Sequence, residues 1–325
     1  MKNRRECIGA LAGTVLLAAA SVVDAQVPGR IYRLGVLRPT GPSLFDANIP
    51  RALAELGYVE GRNLVLEKRY AEGRSDRLPA LARELVSGKV DAIVAVGAES
   101  VRAAMAATSS IPIVMFGNFD PLAAGFVKTL GRPGGNVTGV LIAPDGTLAG
   151  KKLELLRDAV PRASRIALLV PDDPGVASQV GEIRKAATAL GLAIVVVKVF
   201  KGDYGDAFAR LAAERPQAIF VASSTFFVRD RAPIIELAAR YRLPAIYEWR
   251  EHVAEGGLMT YAPSLDALHR RVADYVDRIF EGADPGELPV EQPTKFELVI
   301  NLRTARALGL ALPQSLLLRA DELIE

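Results

Sequence analysis

The sequence predicts an α/β protein built as two doubly wound parallel-sheet lobes. Three observations point there. The chain has 325 residues, more than a single hydrophobic core usually serves. Half of the residues are hydrophobic and 24% are charged, with aromatics at only 6%. That balance, rich in Ala, Leu, Val and Gly, suits buried parallel strands covered by Ala/Leu-rich helices. Finally, short apolar runs alternate with amphipathic helical stretches in two successive series. Such alternation implies parallel sheets with helices on both faces.

In the first series, strands are expected at Ile31–Leu37, Leu64–Arg69, Val90–Val96, Ile111–Phe116 and Asn136–Ile142. Helices are expected at Ile49–Leu56, Arg77–Val86 and Ser100–Ala107, and from near Pro121, because proline suits a first helical turn. Within Arg77–Val86 the apolar residues Leu78, Leu81, Ala82 and Leu85 recur at helical spacing. The second series places strands at Ile166–Val170, Ala193–Val199, Ala218–Ala222, Ala245–Tyr247, Leu258–Tyr261 and Phe296–Asn301. Its helices are Lys152–Ala159, Val176–Leu190, Tyr204–Glu214, Arg231–Tyr241, Leu265–Phe280 and Thr304–Leu308. No tandem sequence repeat relates the two series.

The N-terminus reads as a signal peptide over residues 1–25. Lys2, Arg4 and Arg5 form a basic start, Ile8–Ala20 an apolar stretch, and Val23-Asp24-Ala25 a small-residue cleavage site before Gln26. An N-terminal membrane anchor is the alternative, but the apolar run is short for a bilayer. Arg4-Arg5 leaves the twin-arginine route open beside ordinary secretion. The one cysteine, Cys7, precedes the apolar stretch, whereas a lipoprotein cysteine would follow it. Cleavage would leave a chain with no thiol and no disulfide.

Charge narrows the function classes. The 40 basic and 37 acidic groups, net +3, are interleaved along the chain. No basic run is present to track a phosphate backbone, so nucleic acid is not an expected partner. Gly146–Lys152 (GTLAGKK) has the wrong spacing for a Walker A loop. Neither Gly-x-Gly-x-x-Gly after the first strand nor Gly-x-Ser-x-Gly occurs. The two histidines, His252 and His269, show no metal-ligand spacing and are expected on solvated helix faces. No catalytic residue, metal ligand or cofactor site is assigned, and the chain is not expected to be an enzyme.

In open parallel sheets, ligands sit beyond the carboxyl ends of the strands. That rule selects the loops 39–45, 97–100 and 117–120 in the first lobe, and 171–174, 223–227 and 247–250 in the second. The candidate ligand-binding residues are therefore Thr40, Ser43, Phe45, Glu99, Ser100, Asn118, Asp120, Asp172, Ser223, Ser224, Phe226, Phe227 and Tyr247. Ser100, Asp120 and Ser224 fall near expected helix starts, where free N–H groups can hold a carboxylate. The Asp120 carboxylate could instead hold a ligand ammonium. Asp172-Asp173 could act as acid or base, but such a pair more often caps a turn or a helix start. The rings of Phe45, Phe119, Phe226, Phe227 and Tyr247 suit a flat ligand or plain packing.

Several stretches resemble the ABC transporter substrate-binding family that includes tryptophan- and tyrosine-binding importer components. They are Tyr58–Asn63 (YVEGRN), Ala71–Arg74 (AEGR), Asp76–Ala82 (DRLPALA), Arg132–Gly139 (RPGGNVTG), Gly256–Tyr261 (GGLMTY), Gln292–Leu302 (QPTKFELVINL) and Arg319–Glu325 (RADELIE). The resemblance implies a type I periplasmic binding protein-like fold whose lobes are joined by a three-segment hinge, with crossings near 141–150, 262–264 and 286–292. It places residues 26–143 and 263–286 in an N-terminal lobe, and 144–262 and 287–325 in a C-terminal lobe. It implies a periplasmic protein, expected as a monomer, that binds an aromatic amino acid or another small carboxylate by hinge closure. Its partners would be an inner-membrane ABC permease and its ATPase. A periplasmic sensing module docking on a signalling receptor is the alternative.

Overall fold

The computed structural model describes residues 30–142, 147–172, 176–200 and 202–325. The expected signal peptide and the hinge residues 143–146 lie outside them, as does Asp173.

The first sheet has five strands: β1 (Tyr32–Arg38), β2 (Leu64–Tyr70), β3 (Ala92–Val96), β4 (Ile113–Gly117) and β5 (Val137–Leu141). All pair in parallel, in the order β2-β1-β3-β4-β5. Every residue of β3, Ala-Ile-Val-Ala-Val, is buried, as expected for a strand covered on both faces. On one face Leu34, Val94 and Val114 join Ile49 and Leu53 of α1 (Leu44–Glu55). On the other, Ile93 and Met115 meet α2 (Leu78–Ser87) and α3 (Ala98–Ala107). Two apolar cores flank one sheet, so this lobe is doubly wound.

The second sheet holds β6 (Arg165–Pro171), β7 (Ala193–Val199), β8 (Ala218–Val221), β9 (Ala245–Tyr247), β10 (Met259–Ala262), β11 (Glu297–Asn301) and β12 (Glu322–Ile324). Their order is β12-β11-β10-β9-β8-β6-β7. One pair, β10 with β11, is antiparallel, so this sheet is mixed and not wholly parallel. One face packs α4 (Thr147–Ala159) and α5 (Ala177–Ala189). The other packs α6 (Tyr204–Ala213), α7 (Thr225–Arg229) and α8 (Arg231–Arg240). The remaining helices are α9 (Arg250–Ala254), α10 (Leu265–Phe280), α11 (Leu302–Ala307) and α12 (Gln314–Leu317).

After β10 the chain leaves the second sheet, and α10 buries Leu268, Val272, Val276 and Phe280 in the core shared by α1 and the first sheet. Ser264 caps it, accepting from the Ala267 N–H at 3.3 Å. The following segment stays with the first lobe longer than expected. Gly286 O accepts from Gly134 N, Val290 N donates to Leu130 O, and Glu291 N donates to Gly139 O at 2.9 Å. The Thr138 hydroxyl adds a bond to Leu288 O at 2.7 Å. Residues 287–291 therefore lie along β5, and the chain passes to the second sheet only after Glu291. Gly139 also allows β5 to lie close against β4: a Cβ there would stand 2.1 Å from the Met115 carbonyl oxygen.

Other local expectations change for identifiable reasons. Helix α1 starts five residues before Ile49 and runs through Pro50, because Ser43 and Asp46 form a reciprocal capping box. No helix starts at Pro121. The Asp120 carboxylate accepts from Leu122 N and Ala123 N at 2.8 and 3.0 Å, which ties a turn that the chain does not continue. The C-terminal Asp321 clasps the start of β11, donating its N–H to Leu298 O and accepting from Leu298 N at 2.8 Å.

Candidate functional site

Both sheets present the carboxyl ends of their strands to one cavity of about 160 Å³ between them. The strand-end turns are held by a few local devices. Gly97, at φ 84°, turns β3 directly into α3, a left-handed conformation that a side chain would strain. Ser43 and Ser224 cap α1 and α7 through their hydroxyls, which accept from Phe45 N and Phe226 N. Gln179 on α5 grips the loop after β8: its side chain accepts from Ser223 N and donates to Ser223 O, both at 3.0 Å.

The first lobe contributes rings beside the polar side chains of Ser43, Glu99 and Asn118. Phe45, Phe116, Phe119 and His269 line the cavity. His269 sits edge-on to Phe45 and Phe116 at 5.1 and 5.4 Å. The Asn48 side-chain amide nitrogen lies 3.0 Å from His269 Nδ1. Burial, with the Arg38 charge second, pulls this imidazole down to a pKa of about 4, so it is neutral at pH 7. Arg38 also lines the cavity. It donates to Asp46 at 2.6 Å and to Thr40 at 3.4 Å, while its buried Nε has no partner among the described residues. Burial lowers its pKa, and Asp46 opposes that.

The second lobe contributes Gln179, Ser223, Ser224, Thr225, Phe226, Glu248 and Trp249. Trp249 follows β9, yet it is 3% exposed and belongs to the first lobe's core cluster. It therefore spans the cleft. Glu248 is 4% exposed. Burial holds its carboxyl above the usual range, while Lys152, the Ser223 hydroxyl and the Ser224 N–H act in the opposite sense. Lys152 is buried as well, and burial lowers its pKa.

Of the residues selected from sequence, Ser43, Phe45, Glu99, Asn118, Ser223, Ser224 and Phe226 line the cavity. The other six lie elsewhere. Thr40 is buried beside Arg38. Ser100 is enclosed within α3, behind the actual cap Gly97. Asp120 is spent on its exposed turn. Asp172 is exposed and paired with Lys198 at 3.2 Å. Phe227 and Tyr247 belong to the second lobe's own core.

Both histidines also depart from expectation, being 1% and 2% exposed instead of solvated. His252 stacks on Tyr247 at 5.3 Å, and burial pulls its pKa down to about 4. The sequence carried usable signals for the residues missed. His269 stands in register with Leu265, Leu268, Val272 and Val276 on the apolar stripe of α10. Glu248 and Trp249 fall inside the selected loop 247–250. Lys152, at the start of an expected helix, carried no such signal.

The family description "ABC transporter substrate binding protein" matches residues 41–324. The chain belongs to that family. A Clostridioides difficile (strain R20291) protein described as a tyrosine-binding protein is 27% identical over 262 residues, covering 80% of this chain and 75% of that one. A solved conserved domain protein from Vibrio cholerae is 26% identical with a TM-score of 0.83, covering 90% of this chain and 100% of that one. A Streptococcus pneumonia ABC domain in complex with L-Trp has a TM-score of 0.81 at 24% identity, with the same coverage, and shows the shared fold. Two parallel-type α/β lobes of this kind make the type I periplasmic binding protein fold. Among the described residues no helix is long and apolar enough to cross a membrane.

Proposed function

We propose that this chain is the extracytoplasmic solute-binding component of an ABC importer, exported to the periplasm as a monomer. It carries an aromatic amino acid, or a closely similar small carboxylate, to a membrane permease driven by an ATPase. It performs no turnover. The observation that carries this reading is the cavity between the lobes, walled by Phe45, Phe116, Phe119, Phe226 and Trp249 and edged with polar side chains. Apolar walls with a few placed polar groups suit a flat organic ligand. The tyrosine-binding relative and the structure holding L-Trp support the same ligand class.

Closure follows from differential contact. A ligand held by one lobe gains contacts from the other only when the lobes meet, and that gain favours the form a permease reads. Trp249 and Phe226 are the second-lobe side chains positioned to supply it.

Thermal unfolding of the chain from Gln26, refolded to remove carried-over ligand, tests this against amino acids, aromatic acids and other small carboxylates. A ligand at a hundred times its Kd adds about 2.7 kcal/mol. Stabilisation by tryptophan, tyrosine or phenylalanine is the expected result. Stabilisation by non-aromatic carboxylates alone would remove the aromatic part of the proposal.

A further inference from the structure

A second, smaller cavity of about 40 Å³ adjoins the cleft on the side of the second lobe. Asn118, Gln179, Ser223 and Glu248 line both cavities, so the smaller one is a recess of the larger. A water needs about 10–15 Å³ of such space. The recess therefore holds a small polar group and not a ring.

Its chemistry is unusual. Lys152 lines it at 5% exposure. Among the described residues its ammonium makes no hydrogen bond and no ion pair. Its charge meets the Phe220 ring face, 6.0 Å away, and the field of Glu248. A buried ammonium without a hydrogen-bonded counter-charge is costly, and a ligand carboxylate would remove that cost. Glu248 and Glu182 also line the recess. A recess that holds a buried ammonium and a buried carboxylate favours a ligand that brings a charge of each sign. The α-amino acid head group carries both charges on adjacent atoms.

We infer that the recess seats an α-amino acid head group, with Lys152 taking the ligand carboxylate and Glu248 the ligand ammonium. The side chain then extends out of the recess toward Phe45, Phe116 and Trp249. This rests on the proposed solute-binding role and narrows its ligand to amino acids. It also assigns an orientation: head to the second lobe, ring to the first.

Isothermal titration with L-tryptophan, tryptamine and indole-3-propionate tests the assignment, because the second compound lacks the carboxylate and the third the ammonium. The intact protein is expected to favour L-tryptophan over both by about tenfold or more, as for a charge-assisted hydrogen bond. Lys152→Met should weaken L-tryptophan by about tenfold to a hundredfold and leave tryptamine nearly unchanged. Glu248→Gln should erase the preference over indole-3-propionate. Because either single change leaves a buried charge alone, the Lys152→Met/Glu248→Gln double variant provides a folded control, in which all three compounds should bind alike. Variants that keep the full preference for L-tryptophan overturn the inference. If only a non-aromatic amino acid binds, the aromatic reading falls, and its decarboxylated and deaminated analogues test the head-group assignment in the same way. If no amino acid binds but another carboxylate does, the inference falls and the solute-binding role stands.

Discussion

The two lobes share a fold and a way of presenting strand ends, but they bring opposite chemistry to the cleft. The first lobe offers phenylalanine rings, a neutral histidine and the polar side chains of Ser43, Glu99 and Asn118, with the buried Arg38 already bonded to Asp46. The second offers a buried lysine and glutamate, and a hydrogen-bonded clamp between Gln179 and Ser223. Trp249 is the exception that joins them, because it leaves the second sheet and completes the first lobe's core. A receptor divided in this way can select a ligand with one charged end and one flat end. Neither lobe alone satisfies both.

The largest effect should come from breaking that junction. Trp249→Ala removes a large ring from a 3% exposed site and should cost about 3–5 kcal/mol, as for other buried aromatic truncations. Urea unfolding measures it. A loss below about 1 kcal/mol would mean that the ring is dispensable to the first lobe's core.

The next comparison uses one histidine from each lobe. Burial lowers both His252 and His269 to a pKa of about 4, against about 6.5 in an unfolded chain. Between those values the unfolded state binds more protons. Stability therefore rises with pH across that window, and it is lost as pH falls from about 6.5 toward 4. Each ring should account for on the order of 3 kcal/mol of that loss. His269→Leu should flatten the first lobe's share and His252→Leu the second's, read from urea midpoints between pH 7 and 4. A wild-type stability that does not change with pH over this range would contradict the burial of both.

A smaller effect is expected at the clamp. Gln179→Leu removes two bonds to the Ser223 backbone and should cost about 1–3 kcal/mol. Ligand affinity should fall with it, because the loop carries Ser223 and Ser224 into the cavity. The smallest effect is at Asp120, which only caps an exposed turn. Asp120→Ala should lower stability by about 1 kcal/mol and leave ligand affinity unchanged. A large loss of affinity would return Asp120 to the site.

Much of the fold was legible because it rests on burial. The wholly apolar β3 could only be a strand covered on both faces, and the long α10 showed its apolar stripe plainly. The strand-end rule selected loops that border the cavity, and seven of its residues line it. It erred within loops, because neighbouring residues of a strand face opposite sides. Tyr247 turns into the second core while Glu248 and Trp249 reach the cleft. Lys152 could not be read at all. A lysine opening a helix normally lies in water, and only tertiary packing against distant residues such as Phe220, Ser223 and Glu248 encloses it. The reversal between β10 and β11 was hidden for a similar reason, since strand direction depends on a connection through the other lobe.

Trp249 is the chain's one tryptophan, and it is buried where the lobes meet. Its indole emission therefore reports from a single place. Separating the lobes would bring water to the ring and shift its emission to longer wavelength, and rejoining them would reverse the shift. The molecule carries its own optical gauge of opening, readable without a label whenever the added solute is not itself an indole.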